Sequence, residues 1–194
     1  GIPSAVLMER AALSVVEEIE RLNVSHGRVL IVVEGGNNGG DGLAVGRILL
    51  ERGYKVDIYY IGGFEKVSQG FQQQWSILHH MGVRFRKTIP HKEHAVIVDG
   101  IFGVGLSREV QGVQKKAIEA MNHMDAIKVA IDIPSGIDAT TGEVLGTAFY
   151  ADYTVTFGYN KTGIMFYPGA SYSGSVEVIN AGFVTDDILH LSLI

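Results

Sequence analysis

A three-layer α/β/α fold, with helices on both faces of a mostly parallel central sheet, is what this sequence predicts, and three observations carry the prediction. Short apolar runs such as 29–33 and 127–131 alternate with helix-length segments whose apolar residues recur at helical spacing. The segments between successive runs are long enough to be right-handed crossovers, which join parallel strands and lay helices on both faces. Polar or glycine-rich clusters follow three of the runs, at the carboxyl ends where an open parallel sheet carries its ligand crevice.

Taken in order, Ser4 is placed to cap a helix starting near Ala5, with Leu7, Met8, Ala11, Ala12, Val15, Val16 and Ile19 on one face. After Gly27 the run 29–33 reads as a strand, the stretch 35–42 as a loop, and 43–50 as a helix that Gly53 ends. Residues 55–61 supply the second strand and complete a β-α-β unit. A helix over 65–81 turns Phe71, Trp75, Leu78 and Met81 toward the core and stops at Gly82, and a short strand is expected near 83–87. Strand 95–98, helix 111–123 and strand 127–131 continue the alternation, and 153–157 and 175–179 are strands with only turns between them. No linker, repeat or low-complexity stretch interrupts the chain, so residues 1–194 are expected to form a single domain.

Composition excludes several classes of function. The net charge is −5 and the 16 lysines and arginines are scattered, so the cationic footprint of a nucleic-acid-binding protein is missing. No apolar run approaches the roughly 20 residues that cross a bilayer, so a soluble chain without a membrane partner is expected. With no cysteine, disulfides, thiolate metal sites and cysteine nucleophiles are excluded, and a reducing cytoplasm suits the chain. The first residue is Gly1 rather than Met, which points to a processed or trimmed start.

The loop 35–42 is the richest motif, combining Gly35, Gly36, Gly39, Gly40 and Gly42 with Asn37, Asn38 and Asp41. Consecutive glycines between a strand and a helix expose backbone N–H groups at a helix N-terminus, where an anion is favoured. A plain β-to-α turn with Asp41 as helix N-cap is the simpler reading, but so many glycines and carboxamides exceed what a cap requires. The loop is not the usual dinucleotide fingerprint either. Glu34 occupies the first glycine position, and Asp57 falls inside the second strand rather than at its end. Asp99 precedes a second glycine-rich turn with Gly100, Gly103 and Gly105; it either braces that turn or faces a second phosphate cradle. Asp132 ends a strand just before Pro134, Ser135 and Gly136, a position common for acid–base carboxylates, whereas Asp138 reads as a turn residue. Histidine pairs such as His79–His80 and His91–His94 lack an acidic partner in a zinc-type motif and read as surface residues. Lys161 reads as a loop lysine within reach of an anion.

Three motifs in order, GNNGGDG at 36–42, VDGIFGVG at 98–105 and DIPSGID at 132–138, resemble the YjeF N-terminal domain family, the NAD(P)H-hydrate epimerases. The resemblance runs from Leu7, Met8 and Glu9 to Thr156, Phe157, Gly158, Lys161, Pro168 and Gly169, nearly the whole chain. It implies a Rossmann-like sandwich and an isomerase that interconverts the R and S forms of hydrated NADH or NADPH, a repair of damaged nicotinamide nucleotides. Carried onto this sequence, Asn37, Asn38, Gly39, Gly40 and Asp41 contact the dinucleotide hydrate. Gly103, Val104, Gly105, Leu106, Ser107, Arg108 and Glu109 surround its phosphates, and Asp132 contacts it as well. The resemblance further implies a potassium ion bound by Asn38, Asp99 and Ser135, whose amide, carboxylate and hydroxyl oxygens suit a large monovalent cation.

Epimerisation at the hydroxyl-bearing ring carbon passes through iminium-like character and proton transfer, so Asp132 is the expected catalytic acid–base group. Glu34 departs from the glycine usual in the family and brings a carboxylate that would repel a nearby phosphate. With no acid reading a ribose and no arginine set for a 2′-phosphate, NADH and NADPH hydrates are not distinguished. A homodimer, and an NAD(P)H-hydrate dehydratase either fused or separate, are the expected partners. The competing reading is a non-catalytic nucleotide-binding or dimerisation module of the same fold.

Overall fold

Side chains on a strand alternate between faces, so a strand buried on both sides needs apolar residues at every position. In the computed structural model, which describes residues 1–24, 27–63, 65–89 and 92–182, β1 (Arg28–Val33) meets that demand. Its Val29, Ile31 and Val33 enter a core beneath α1 (Ser4–Arg21), α2 (Asn37–Glu51) and α3 (Gln69–His80). Leu30 and Val32 enter a second core beneath α4 (Gly112–Asn122), which presents Ala117, Ile118 and Met121. These are the two outer layers.

The middle layer adds β2 (Lys55–Tyr60), β3 (Val96–Gly100), β4 (Ile127–Ile131), β5 (Tyr153–Phe157) and β6 (Ser175–Ile179) to β1. Their order is β2-β1-β3-β4-β5-β6 and every neighbouring pair among the described residues is parallel, as the crossover-length segments predict. The chain leaves β1 for β2 on one side and returns to β3 on the other. A topological switch point therefore lies between β1 and β3, where Val33 pairs with Gly100.

Several local expectations change. α1 begins at Ser4 itself, with Pro3 in the N-cap position and no side-chain cap, so Ser4 is the first helical residue and not the cap. Ser68 caps α3, its hydroxyl accepting the Phe71 N–H at 3.1 Å, which starts that helix later than 65. Met81 lies just past the helix and is 45% exposed, while Phe71 and Leu78 are buried. Where a strand was expected near 83–87, Arg86 forms only an isolated bridge to Tyr59. Two short helices, α5 (Thr162–Met165) and α6 (Ala170–Ser173), stand between β5 and β6 instead of turns alone, because parallel neighbours cannot be joined by a hairpin.

Asp57 is an interior residue of β2 and is buried with three partners: Arg86 at 2.7 Å, Arg28 at 3.0 Å and His94 at 3.3 Å. Burial opposes its charge, but hydrogen bonds from Arg86, Arg28 and His94 outweigh that and hold its carboxyl below the usual range. His94 is thus a buried structural partner rather than a surface residue. His91 lies outside the described residues.

Candidate functional site

At the switch point the chain turns from β1 into α2 earlier than periodicity suggests. Gly36 is the extended N-cap, and helical geometry starts at Asn37, so most of the expected loop is the first turns of the helix. Asp41 is therefore inside α2 and is not its N-cap. Glycine is required because the helix enters against the backbone it has just left. A Cβ on Gly39 would lie 1.6 Å from the Glu34 carbonyl oxygen, and one on Gly100 would lie 3.4 Å from the Gly42 Cα. This close approach brings the positive end of α2 against the end of β3.

Across that junction, Asn38 and Ser135 meet at the Phe102 carbonyl, and Asp99 is bonded to Ser135. Asp99 is fully buried; its Oδ1 accepts from the Ser135 hydroxyl at 2.6 Å and from the Ile101 N–H at 3.2 Å. Its Oδ2 accepts from the Ser135 N–H at 2.7 Å. The Ser135 hydroxyl in turn accepts the Phe102 N–H at 2.9 Å and lies 3.3 Å from the Phe102 carbonyl oxygen. Asn38 donates its side-chain N–H to that same carbonyl at 3.0 Å. Burial pushes the Asp99 carboxyl up to about 6, opposed by the hydrogen bonds from Ser135 and Ile101. No basic side chain pairs with it among the described residues. A buried carboxylate beside hydroxyl and carbonyl oxygens, without a protein counter-charge, is a donor set that fits a hard monovalent cation.

Asp132 follows β4 with a backbone φ of 68°, a left-handed conformation that costs a non-glycine residue about 1 kcal/mol or more. Its Oδ1 accepts from Lys161 Nζ at 2.5 Å and from the Thr156 hydroxyl at 3.1 Å. Lys161 also donates to the Thr156 hydroxyl at 2.7 Å and to the Phe157 carbonyl at 2.8 Å. With both partners mostly buried, the carboxylate is held on a fixed cationic mount at the mouth of the crevice.

Beside these groups lies a cavity of about 440 Å³. Asn37, Asn38, Asp41 and Asp132 form part of its wall, and the turn from Gly103 through Arg108 forms another part, with Arg108 its basic group. Gly39 and Gly40 stay buried behind Asn37 and Asn38, and Glu109 is turned away against Gly146 and toward Gln111. Asp99 and Ser135 lie beneath the Phe102 turn rather than on the cavity surface. Glu34 is not part of the wall. Its Oε1 accepts from Gln114 of α4 at 2.9 Å, so the carboxylate expected to meet a phosphate points toward another helix. Asp41, half-buried on the wall, has no hydrogen-bond or ion-pair partner among the described residues. Burial, then the charge of Asp132, push its carboxyl up to about 8.

Two participants escape a reading of the residues: Thr156, which with Lys161 aims Asp132, and the Phe102 carbonyl, which meets both Asn38 and Ser135. Lys161 was visible only as a lysine near an anion, and nothing local tied it to a carboxylate 29 positions away. Asp138 accepts the Thr140 and Thr141 N–H groups at 2.9 and 2.8 Å, the turn role its position suggested. No group of three or more His, Asp or Glu side chains gathers as a metal site among the described residues.

The chain is similar to several known proteins. The chain is 43% identical over 188 residues to a protein named NAD(P)H-hydrate epimerase from Levilactobacillus brevis, covering 96% of this chain and 87% of that one. Proteins of the same name from Limosilactobacillus reuteri and Leuconostoc citreum are 44% and 41% identical, each over 182 residues, covering 93% and 94% of this chain and 86% and 82% of theirs. The crystal structure of yeast ynu0 superposes with a TM-score of 0.81 at 21% identity, over all of this chain and 86% of that one, and so shares the fold. The family model described as YjeF-related protein N-terminus matches residues 4–163, a span that holds the α2 entry, the Asp99 cluster, Asp132 and Lys161 together. The chain belongs to the YjeF-related protein N-terminus family.

Proposed function

We propose that this chain is an NAD(P)H-hydrate epimerase, interconverting the R and S forms of hydrated NADH and NADPH. The observation that carries the reading is the Lys161-mounted Asp132 facing the α2 entry and the 103–108 turn across one cavity, in a chain about 40% identical to proteins of that name. Asn37, Asn38, Asp41 and the α2 backbone would contact the substrate, with Gly39 and Gly40 supplying the close backbone. The turn 103–109, with Arg108, would receive the pyrophosphate, where a helix N-terminus and a guanidinium both favour anions. Asp132 is the catalytic residue in this reading. Its carboxylate stabilises positive charge developing on the ring and takes a proton from the adding water.

Asn38, Asp99 and Ser135 would hold a potassium ion with the Phe102 carbonyl, the Asn38 amide turning over to bring its oxygen where its N–H now meets that carbonyl. The bound cation offsets charge and ties the ends of β1, β3 and β4 together. Residues 1–194 act as one domain in this reading, as a homodimer in the cytoplasm, with an NAD(P)H-hydrate dehydratase fused or separate as the functional partner. No described helix is long and apolar enough to cross a membrane.

The test is to incubate the folded protein with R-hydrate and follow the S form by chromatography. Acceleration over the spontaneous rate is expected; none from a folded chain would leave a binding module of the same fold as the reading. The cation is checked separately by thermal unfolding in potassium chloride and in tetramethylammonium chloride. At tenfold over its Kd, potassium is expected to add about 1.4 kcal/mol, or about 3–6 °C in Tm. Asp99→Asn is expected to abolish that difference, and equal midpoints in the two salts for the unaltered protein would remove the ion from the site.

A further inference from the structure

Breaking a carbon–oxygen bond to a hydroxyl requires a proton donor, because hydroxide is a poor leaving group. Asp132 is ill-suited to that half of the task, being already ion-paired with Lys161 at 2.5 Å. The other carboxyl on the cavity wall is Asp41. It also lines a second cavity of about 530 Å³ between α1 and α3, walled by Leu7, Met8, Gly70 and Phe157 among others. Asn37 and Asp41 are the residues common to both cavities, so Asp41 stands at their junction.

We propose that Asp41 is the catalytic acid of the epimerisation and works as a pair with Asp132, an assignment that rests on the epimerase reading. Two carboxyls facing one desolvated space do not both ionise readily, and environment decides which keeps its proton. Lys161 mounts Asp132 as the anion. Asp41, with neither ion-pair nor hydrogen-bond partner among the described residues, keeps its proton. Asp41 gives this proton to the ring hydroxyl, the C–O bond breaks with its electron pair leaving on oxygen as water, and the ring nitrogen lone pair forms a C=N bond. Water then adds to the other face of that carbon, the C=N pair returns to nitrogen, and the Asp132 carboxylate takes the proton released. Solvent carries a proton from Asp132 back to Asp41, so the cycle closes without a further reactant.

Other charged groups do not compete for the role. α1 and α3 present no charged residue to either cavity, their polar lining being Ser4, Gln69 and Gln73. The turn after β3 presents Arg108 at the rim, β3 itself contributes the buried Asp99 beneath that turn, and the segment after β5 presents Lys161, committed to Asp132. Because the working form of Asp41 is protonated, activity is lost as pH rises through its titration near 8 and retained below it.

The experiment measures kcat and KM for R-to-S conversion from pH 6 to 9.5, corrected for the spontaneous reaction, for the unaltered protein and for Asp41→Asn. Asp41→Asn is expected to lower kcat about 100-fold with KM changed less than about threefold, and to lose the alkaline decline. Circular dichroism of the variant accompanies the assay. An active protein whose own profile has no alkaline limb overturns the acid role without recourse to any variant. A folded Asp41→Asn with the full rate and the same profile overturns it too, leaving the epimerase reading standing. An unaltered protein that accelerates nothing overturns both together.

Discussion

Asp132→Asn is expected to lower kcat for epimerisation by about 10²–10⁴-fold, the largest effect of any single change in the site. Asparagine is nearly isosteric and tolerates the left-handed backbone that Asp132 adopts at φ 68°, so the turn after β4 should persist. What disappears is the negative charge. The amide neither stabilises a cationic ring nor takes a proton from water, and the Lys161 ammonium, 18% exposed, loses its counter-charge. A modest loss of stability therefore accompanies the loss of rate, since an uncompensated, mostly buried charge is unfavourable. Conversion of R to S followed by chromatography, beside a thermal melt of the same sample, separates the two effects. Full activity in a folded Asp132→Asn protein would show that the carboxylate is not the base.

Gly39→Ala carries the second large effect, on stability. By intrinsic propensity alone the change should help, because alanine is favoured over glycine in a helix by about 1 kcal/mol. Geometry reverses the sign. The added Cβ would sit 1.6 Å from the Glu34 carbonyl oxygen and 2.8 Å from its carbon, both backbone atoms that cannot swing aside. The start of α2 must then move away from the end of β1, and with it Asn37, Asn38 and the floor of the crevice. A loss of about 3 kcal/mol is expected, which for a domain of this size lowers Tm by about 6–12 °C. Gly36→Ala is the matched control: nothing lies within 4 Å of its Cβ and its backbone is extended, so its stability should change by less than about 1 kcal/mol. Urea unfolding of the three proteins decides the matter. A Gly39→Ala protein as stable as the Gly36→Ala protein would mean that α2 enters with more freedom than its geometry allows.

The strands and their helices were legible because burial on both faces of a parallel sheet writes itself into sequence as unbroken apolar runs. β4, β5 and β6 begin and end where those runs do. The start of α2 was not legible, because glycine and asparagine disfavour helix locally and only packing against β1 and β3 makes Asn37 helical. Arg86 stayed out of a full strand, and Met81 stayed out of the core, for the reason that both lie at the edge of what the neighbouring elements cover. His94 went inside because Asp57 needs its hydrogen bond.

The site divides in the same way. Residue types at strand ends were enough to select Asn38, Asp99, Asp132 and Ser135, since polar groups following apolar strands have few structural reasons to be there. By itself, then, the sequence determined the layered fold and the family, and it named the carboxylates at the crevice. Tertiary structure alone decided what each carboxylate is. It put Lys161 on Asp132, buried Asp99 beneath the Phe102 turn, turned Glu34 to Gln114, and left Asp41 without a partner between two cavities. The physical reason is that charge state and aim depend on desolvation and on neighbours brought together from distant positions, and neither is written in local sequence.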